Sequence, residues 1–241
     1  MRVVLLRIGV DSGSGGIQGP LFRDSSFELI PIPDKFRKRG VDPRTYGNTI
    51  GKHGRVLLEY FPERLREKRR NQPMHVDPEF GTFTYGDPTF PKRGLRKLNR
   101  GDLLVFYAGL EGWGKFKRPA ALYIVGYFEV EAAGLATKHS VRELRTLFAN
   151  NFHVRHRQVF KKQKRRLVLV KGSKGSRLLK KAVLISSVGR DKNGRPLKVL
   201  SPAMRSIFSD FRGRVSIQRS PPRWVEPAFV ERAVRFVRGL R

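Results

Sequence analysis

"DLLVFYAG" (residues 102–109) and "AALYIVGYFEVEAA" (residues 120–133) decide the fold reading. Both runs are apolar almost throughout and rich in Val, Ile, Tyr and Phe, residues that pack well on a pleated surface, so both are expected to be strands. The Gly-rich "LEGWGKFKRP" (110–119) separates them. Working outward, "VVLLRIGV" (3–10) is a near-continuous apolar run of strand length, as a strand buried on both faces would be. "SFELIPIP" (26–33) carries prolines and suits an edge strand, and "DKFRKRGVDPRTYGN" (34–48) has the punctuation of an exposed loop. "RRLVLVKGS" (165–173) and "AVLISS" (182–187) read as short strands around a basic turn, and Asn-Gly in "DKNGRPL" (191–197) marks a tight turn.

Helical signals surround these strands. Leu57, Leu58, Phe61 and Leu65 recur at helical spacing, with Pro62 opening a second turn or kinking the first. "HSVRELRTLFANNF" (139–152) begins with a Ser140–Glu143 capping box and is expected to bury Val141, Leu144, Leu147 and Phe148. "EPAFVERAVRFVRGLR" (226–241) has Pro227 early and Phe229, Val230, Ala233, Val234 and Val237 on one face, predicting a C-terminal helix packed on the body. The class is α+β, with a mixed α/β arrangement as the alternative. Its central sheet is expected to be largely antiparallel or barrel-like, with flanking helices. With no internal repeat and no composition shift, residues 1–241 read as a single domain.

Lys and Arg number 51 against 20 Asp and Glu, a formal charge of +31. A field of that size attracts polyanions, nucleic acid first. No apolar run long enough to span a bilayer is present, and the basic runs do not lie along one long amphipathic helix, so no membrane partner is expected. With no cysteine, disulfides, thiolate metal sites and Cys nucleophiles are excluded. The start "MRVVLLRIGVDSG" reads as a first strand and not a signal peptide, which places the protein in the cytoplasm. Absent Cys, few Asn and many Arg and Pro also fit a thermophile.

Four stretches carry candidate chemistry. "GVDSGSGGIQGP" (9–20) follows the first strand, but it lacks the Lys, the glycine spacing and the helical continuation of a phosphate-binding loop. It reads equally as a strand-end turn presenting Asp11, Ser12 and Ser14, or as a connection without chemistry. "MHVDPEFGTFTYGDPTFPKRG" (74–94) is too long for a plain connector, and gathers His75, Asp77, Glu79, Tyr85 and Asp87. His-x-Asp in an extended segment places both side chains on one face, about 7 Å apart at Cα, suited to an acid/base pair or a shared metal. Against this, Asp77 and Asp87 both precede Pro, where carboxylates commonly cap turns. The sequence assigns no metal site and names no cofactor.

The third stretch is "NNFHVRHRQVFKKQKRR" (150–166), in which His153, Arg155, His156, Arg157, Lys161, Lys162, Arg165 and Arg166 read as a phosphate-contacting stripe or a solvated basic face. No carboxylate lies nearby in sequence to support a metal on the His pair. In the fourth, "GWGKFKRP" (112–119), Trp113 and Phe116 sit among Lys115, Lys117 and Arg118, a pattern for stacking plus phosphate contact, or for a Trp that caps the core. In "RSPPRWV" (219–225) Arg219 and Arg223 lie near Trp224 with the same two readings, and Tyr107 is a further candidate for base contact.

Taken together, "LLRIGVDSGSGGIQGPLF", "HVDPEFGTFTYGD", "GDLLVFYAGL" and "RSPPRWV" resemble the third of the nucleotide-modification-associated domain families, over most of the chain. The resemblance implies a part in hypermodifying DNA bases, with DNA ahead of RNA as polymer, and carries no mechanism. Asp11, Ser12, Ser14, His75, Asp77, Tyr85 and Asp87 are its most plausible functional positions. "RGDLLVFYAGL" with "ALYIVGYFEV" is also similar to the hairpin of PUA, ASCH and EVE-type barrels, which hold RNA or an extruded modified base. The leading expectation is a nucleic-acid-binding protein that acts on or recognises a base, with Asp11 or Asp77 as base or nucleophile, His75 as its acid/base partner or a metal ligand, and Tyr85 as a stacking or hydrogen-bonding wall. A non-catalytic PUA-like reader and a structural RNA-binding protein are the alternatives.

Overall fold

A computed structural model describes residues 1–34, 43–218 and 221–240. The strands are β1 (Val3–Ile8), β2 (Gly19–Leu21), β3 (Ile32–Pro33), β4 (Met74–His75), β5 (Thr84–Asp87), β6 (Leu103–Gly112), β7 (Ala121–Leu135), β8 (Val168–Gly172), β9 (Arg177–Leu184), β10 (Ser186–Arg190), β11 (Pro196–Leu200) and β12 (Arg223–Trp224). Eight of them form a mixed sheet in the order β12-β1-β6-β7-β8-β5, with β2 also on β6 and β9 also on β7. The helices are α1 (Glu63–Arg70), α2 (Val141–Thr146), α3 (Phe152–Arg155), α4 (Arg157–Gln163), α5 (Pro202–Phe208) and α6 (Val230–Arg238). The class is α+β, as the sequence indicates. Among the described residues no helix is long and apolar enough to cross a membrane.

The two opening runs form the centre of the sheet. β6 pairs antiparallel with β7 and parallel with β1, so its side chains have strand neighbours on both sides. Residues 103 to 110 of β6 are buried without a break, which explains why the run is apolar at every position and not at alternate ones. β1 is enclosed between β6 and β12, and Val3, Val4, Leu5 and Leu6 are fully buried. α6 covers the core with Ala233 and Val237. The basic segment "RLLKK" is part of strand β9 and not of a turn.

The sheet is not a barrel. Closure requires the two edge strands to pair, and here the edges are β12, two residues long, and β5, four residues long, with no pairing between them. The Gly-Asp that suggested a PUA-like hairpin serves a turn: buried Asp102 accepts the N–H groups of Arg2 (2.7 Å) and Asn99 (2.8 Å). Residues 26–33 contribute only the two-residue β3, paired with β4. The Ser140–Glu143 capping box is present, but α2 ends at Thr146, Val141 is 65% exposed and no residue of the helix is fully buried; Leu144 and Leu147 are half-buried and only Phe148, beyond the helix end, enters the core. Most of the loop expected at 34–48 lies outside the described residues, as does Arg219.

Candidate active site

β1 ends at Gly9, whose φ of 73° turns the chain out of the sheet. The loop that follows closes on its own aspartate. The Ser14 N–H donates to Asp11 Oδ1 (2.6 Å) and the Gly16 N–H to the Asp11 carbonyl (3.0 Å). Backbone donors that a phosphate cradle would need free are thus spent inward. The other carboxylate oxygen of Asp11 faces Arg7 Nη2 at 3.3 Å. Arg7 is the one polar residue in the apolar run of β1, and it points into the cleft that Asp11 borders.

Across that cleft lies the 74–94 segment. The Asp77 carboxylate is only 2% exposed and is held by the Gly86 N–H of β5, at 3.1 and 2.9 Å from its two oxygens. His75 Nε2 stands 3.9 Å from Asp77 Oδ2 and His153 Nε2 stands 3.4 Å from the same oxygen. His75 stacks on Phe152 at 4.1 Å between centroids, which fixes its ring plane. Asp87, two positions along β5, accepts from the Tyr85 hydroxyl (3.0 Å) and the Thr89 N–H (2.7 Å), and faces Lys92 Nζ at 3.4 Å. Arg7, Asp11, Ser14, His75, Asp77, Tyr85, Asp87, Lys92 and His153 all line one cavity of about 540 Å³.

Burial and charge set the protonation here. Burial, reinforced by the Asp87 and Asp77 carboxylates, pushes the Tyr85 hydroxyl well up, so it remains a donor to Asp87. Burial disfavours the charged form of His153, but the Asp77 carboxylate, Gln163 and Asp87 outweigh it and raise its pKa. His153 Nδ1 lies 2.6 Å from Gln163 Oε1. A carbonyl oxygen only accepts, so Nδ1 carries the proton and Nε2 is the atom turned toward Asp77. Within the lining, three carboxylates (Asp11, Asp77, Asp87) stand against two cations (Arg7, Lys92), and each cation is paired with one of those carboxylates.

The model of nucleotide modification associated domain 3 matches residues 2–238. The chain belongs to that family. No curated protein and no solved structure shows significant similarity to it. For a member of this family, the cleft is the place where the described residues bring acid, base and hydrogen-bonding groups together.

Of the residues singled out from sequence, Asp11, Ser14, His75, Asp77, Tyr85 and Asp87 meet in the cleft, whereas Ser12 is exposed on its loop and does not line it. Tyr107 lies elsewhere. It is fully buried, and its hydroxyl donates to the Ile217 carbonyl at 2.8 Å, so it is a core residue and offers no face to a base. Trp113 packs edge-on against Tyr60 (5.1 Å) and Phe22 (5.7 Å) and is partly buried, and Phe116 packs against the main core. Lys115, Lys117 and Arg118 beside them are exposed, away from the cleft lining.

His153 is not part of a surface stripe. It is 2% exposed and directed at Asp77, while Arg155, Arg157, Lys161, Lys162, Arg165 and Arg166 around it face solvent and His156 packs on Phe152. The carboxylate that sequence proximity failed to supply arrives from 76 residues upstream. Arg223 is partly buried in β12 and donates to the Ser216 carbonyl (2.8 Å). Arg7, Lys92 and Gln163 also belong to the site without having been singled out. For Arg7 a signal existed, since a lone Arg inside a buried strand needs a partner. Gln163 had none.

Proposed function

We propose that this protein binds nucleic acid through its basic exterior and acts on a single base held in the cleft between the Asp11 loop and the 74–87 segment. The observation that carries this reading is the charge inversion: in a chain of formal charge +31, the cleft gathers three carboxylates and two histidines. Phosphates are drawn to the outside, and a neutral base meets acid/base groups inside. A volume of about 540 Å³ is in the range of small-ligand pockets and is wide enough for one extruded base. The mouth supports the same reading. A second depression, of about 440 Å³, shares Pro88 and Thr89 with the cleft and adds Arg93, Arg165, Arg166 and Phe90, which is 82% exposed. An exposed aromatic ring among arginines suits a stacked neighbouring nucleotide with its phosphate.

In this reading Asp11 and Asp87 are the general base and acid candidates, each facing one cation, and Tyr85 orients Asp87 through its hydroxyl. Incubation of the protein with DNA, or with RNA, and candidate group donors, followed by nucleoside mass spectrometry, is expected to reveal a base of altered mass. Asp11→Asn should lower turnover by about 10²–10⁴-fold, the contribution of a positioned acid or base. Its affinity for nucleic acid should remain within about twofold, because Asp11 makes no contribution to the phosphate-binding face. Binding that prefers a modified base, with no mass change under any condition, would replace this reading with that of a non-catalytic reader.

A further inference from the structure

We propose that His75, Asp77 and His153 form the binding site of one divalent transition-metal ion, with the open coordination positions facing the cleft. One donor atom from each residue lies within 4.8 Å of the other two. At bonds of about 2.1 Å, two ligands of one ion sit about 3–4 Å apart. The separations of His153 and His75 from Asp77 Oδ2, 3.4 and 3.9 Å, are of that size. The remaining distance closes by a small inward movement of the His75 ring, the most exposed of the three at 17%.

Three further features favour a cation here. Gln163 Oε1 accepts from His153 Nδ1 at 2.6 Å, leaving Nε2 as the ligating atom; this is the outer-shell contact that orients a metal-bound imidazole. Asp77 is likewise fixed by the Gly86 N–H. The general positive field of the chain does not reach the site unopposed, because Arg7 and Lys92 are each paired with a second carboxylate of the cleft. Two imidazoles and one carboxylate are a borderline-soft set, suited to zinc(II), cobalt(II) or iron(II) and not to magnesium or calcium. With three protein ligands, positions remain for water or substrate, as in catalytic and not structural sites. The proposal concerns the same cleft but rests on ligand geometry, so metal binding without any base modification would leave it standing and remove only the functional reading above.

The test uses the full chain, without a polyhistidine tag, stripped with a chelator and titrated calorimetrically with zinc chloride. Cobalt chloride is added in parallel, to follow its visible absorption bands. One equivalent should bind, and the cobalt spectrum should show nitrogen–oxygen ligation. His153→Gln and Asp77→Asn should each weaken binding by more than about 100-fold, and Gln163→Leu, which keeps every ligand, by about 10–100-fold. Should either buried variant fail to fold, His75→Gln and Gln163→Leu decide the matter. Absence of stoichiometric zinc or cobalt binding, or binding unchanged in these variants and therefore seated on the other histidines, overturns the proposal.

Discussion

A methyl group at Gly86 should disturb the site without removing any of its functional groups. A Cβ there would stand 2.8 Å from Asn151 Oδ1, 3.0 Å from His153 Cδ2 and 3.2 Å from Asn151 Nδ2. Ordinary carbon contacts lie at about 3.5–4.0 Å, so both neighbours must retreat by roughly half an ångström. Neither moves freely. Asn151 is fully buried, and its Oδ1 caps α3 by accepting the His153 N–H at 3.0 Å. Overpacking of this kind costs about 1–3 kcal/mol, offset by about 0.4–1 kcal/mol from the stiffer unfolded chain, since Gly86 lacks a positive φ. A net loss of about 1–2 kcal/mol lowers the melting temperature by roughly 3–6 °C in a chain of this size. The same displacement moves His153 relative to Asp77, whose own anchor, the residue 86 N–H, survives in alanine. Activity at the cleft, or zinc affinity, should therefore fall by about 10–100-fold. Calorimetric melting together with nucleoside mass spectrometry or zinc titration measures both. Gly13→Ala is the control, because its Cβ would meet only Asp11 Oδ1, at an ordinary 3.5 Å. A Gly86→Ala protein with unchanged melting and full site function would refute the packing argument.

Two other expectations separate core from surface. Tyr107→Phe strands the buried Ile217 carbonyl and should cost about 1–3 kcal/mol at pH 8, with nucleic-acid affinity unchanged. Burial pushes the Tyr107 hydroxyl up to about 12, against the opposing effect of Arg7 and Arg223. The stability this hydroxyl contributes is intact below pH 10 and is lost as pH rises through 12, by about 1.4 kcal/mol per unit, as the unfolded chain ionises first. Urea unfolding of the two proteins should therefore converge between pH 10 and 12, and a constant gap would count against it. The pair Arg165→Gln and Arg166→Gln, at the mouth beside Phe90, should reduce the slope of log affinity against log salt by about 1–2. An unchanged slope would place the phosphates elsewhere.

How far the sequence spoke depended on whether the determining contact was local. The β6 run and the first half of β7 are apolar at successive positions because both faces of the sheet are buried there, and that is legible in any window of eight residues. The α2 capping box is legible for the same reason, since its partners are three residues apart. Sheet closure is not local: whether β5 and β12 meet depends on the curvature of every strand between them, and alternation of residue types does not encode it. Asp11 and the 74–87 segment were recognisable as chemistry-bearing through their Gly, Pro and carboxylate content. Their meeting across the cleft was only a question of distance, which the fold answers.

His153 is the instructive failure, and its cause is physical. Charge read along the chain assigns it to a basic face, because seven of its neighbours between 155 and 166 are Lys or Arg. A helix, however, separates residues by direction, and α3 and α4 turn those cations to solvent while His153 and Gln163 turn inward. The interior they face takes its charge from Asp77, delivered by the loop that follows β4, far upstream in the chain. The same segment therefore serves both sides of the proposed reaction, with Arg165 and Arg166 at the mouth and His153 at the floor. The stretch thus combines dense, exposed Lys and Arg with one inward residue on each of two successive short helices, His153 on α3 and Gln163 on α4, which meet through their own hydrogen bond.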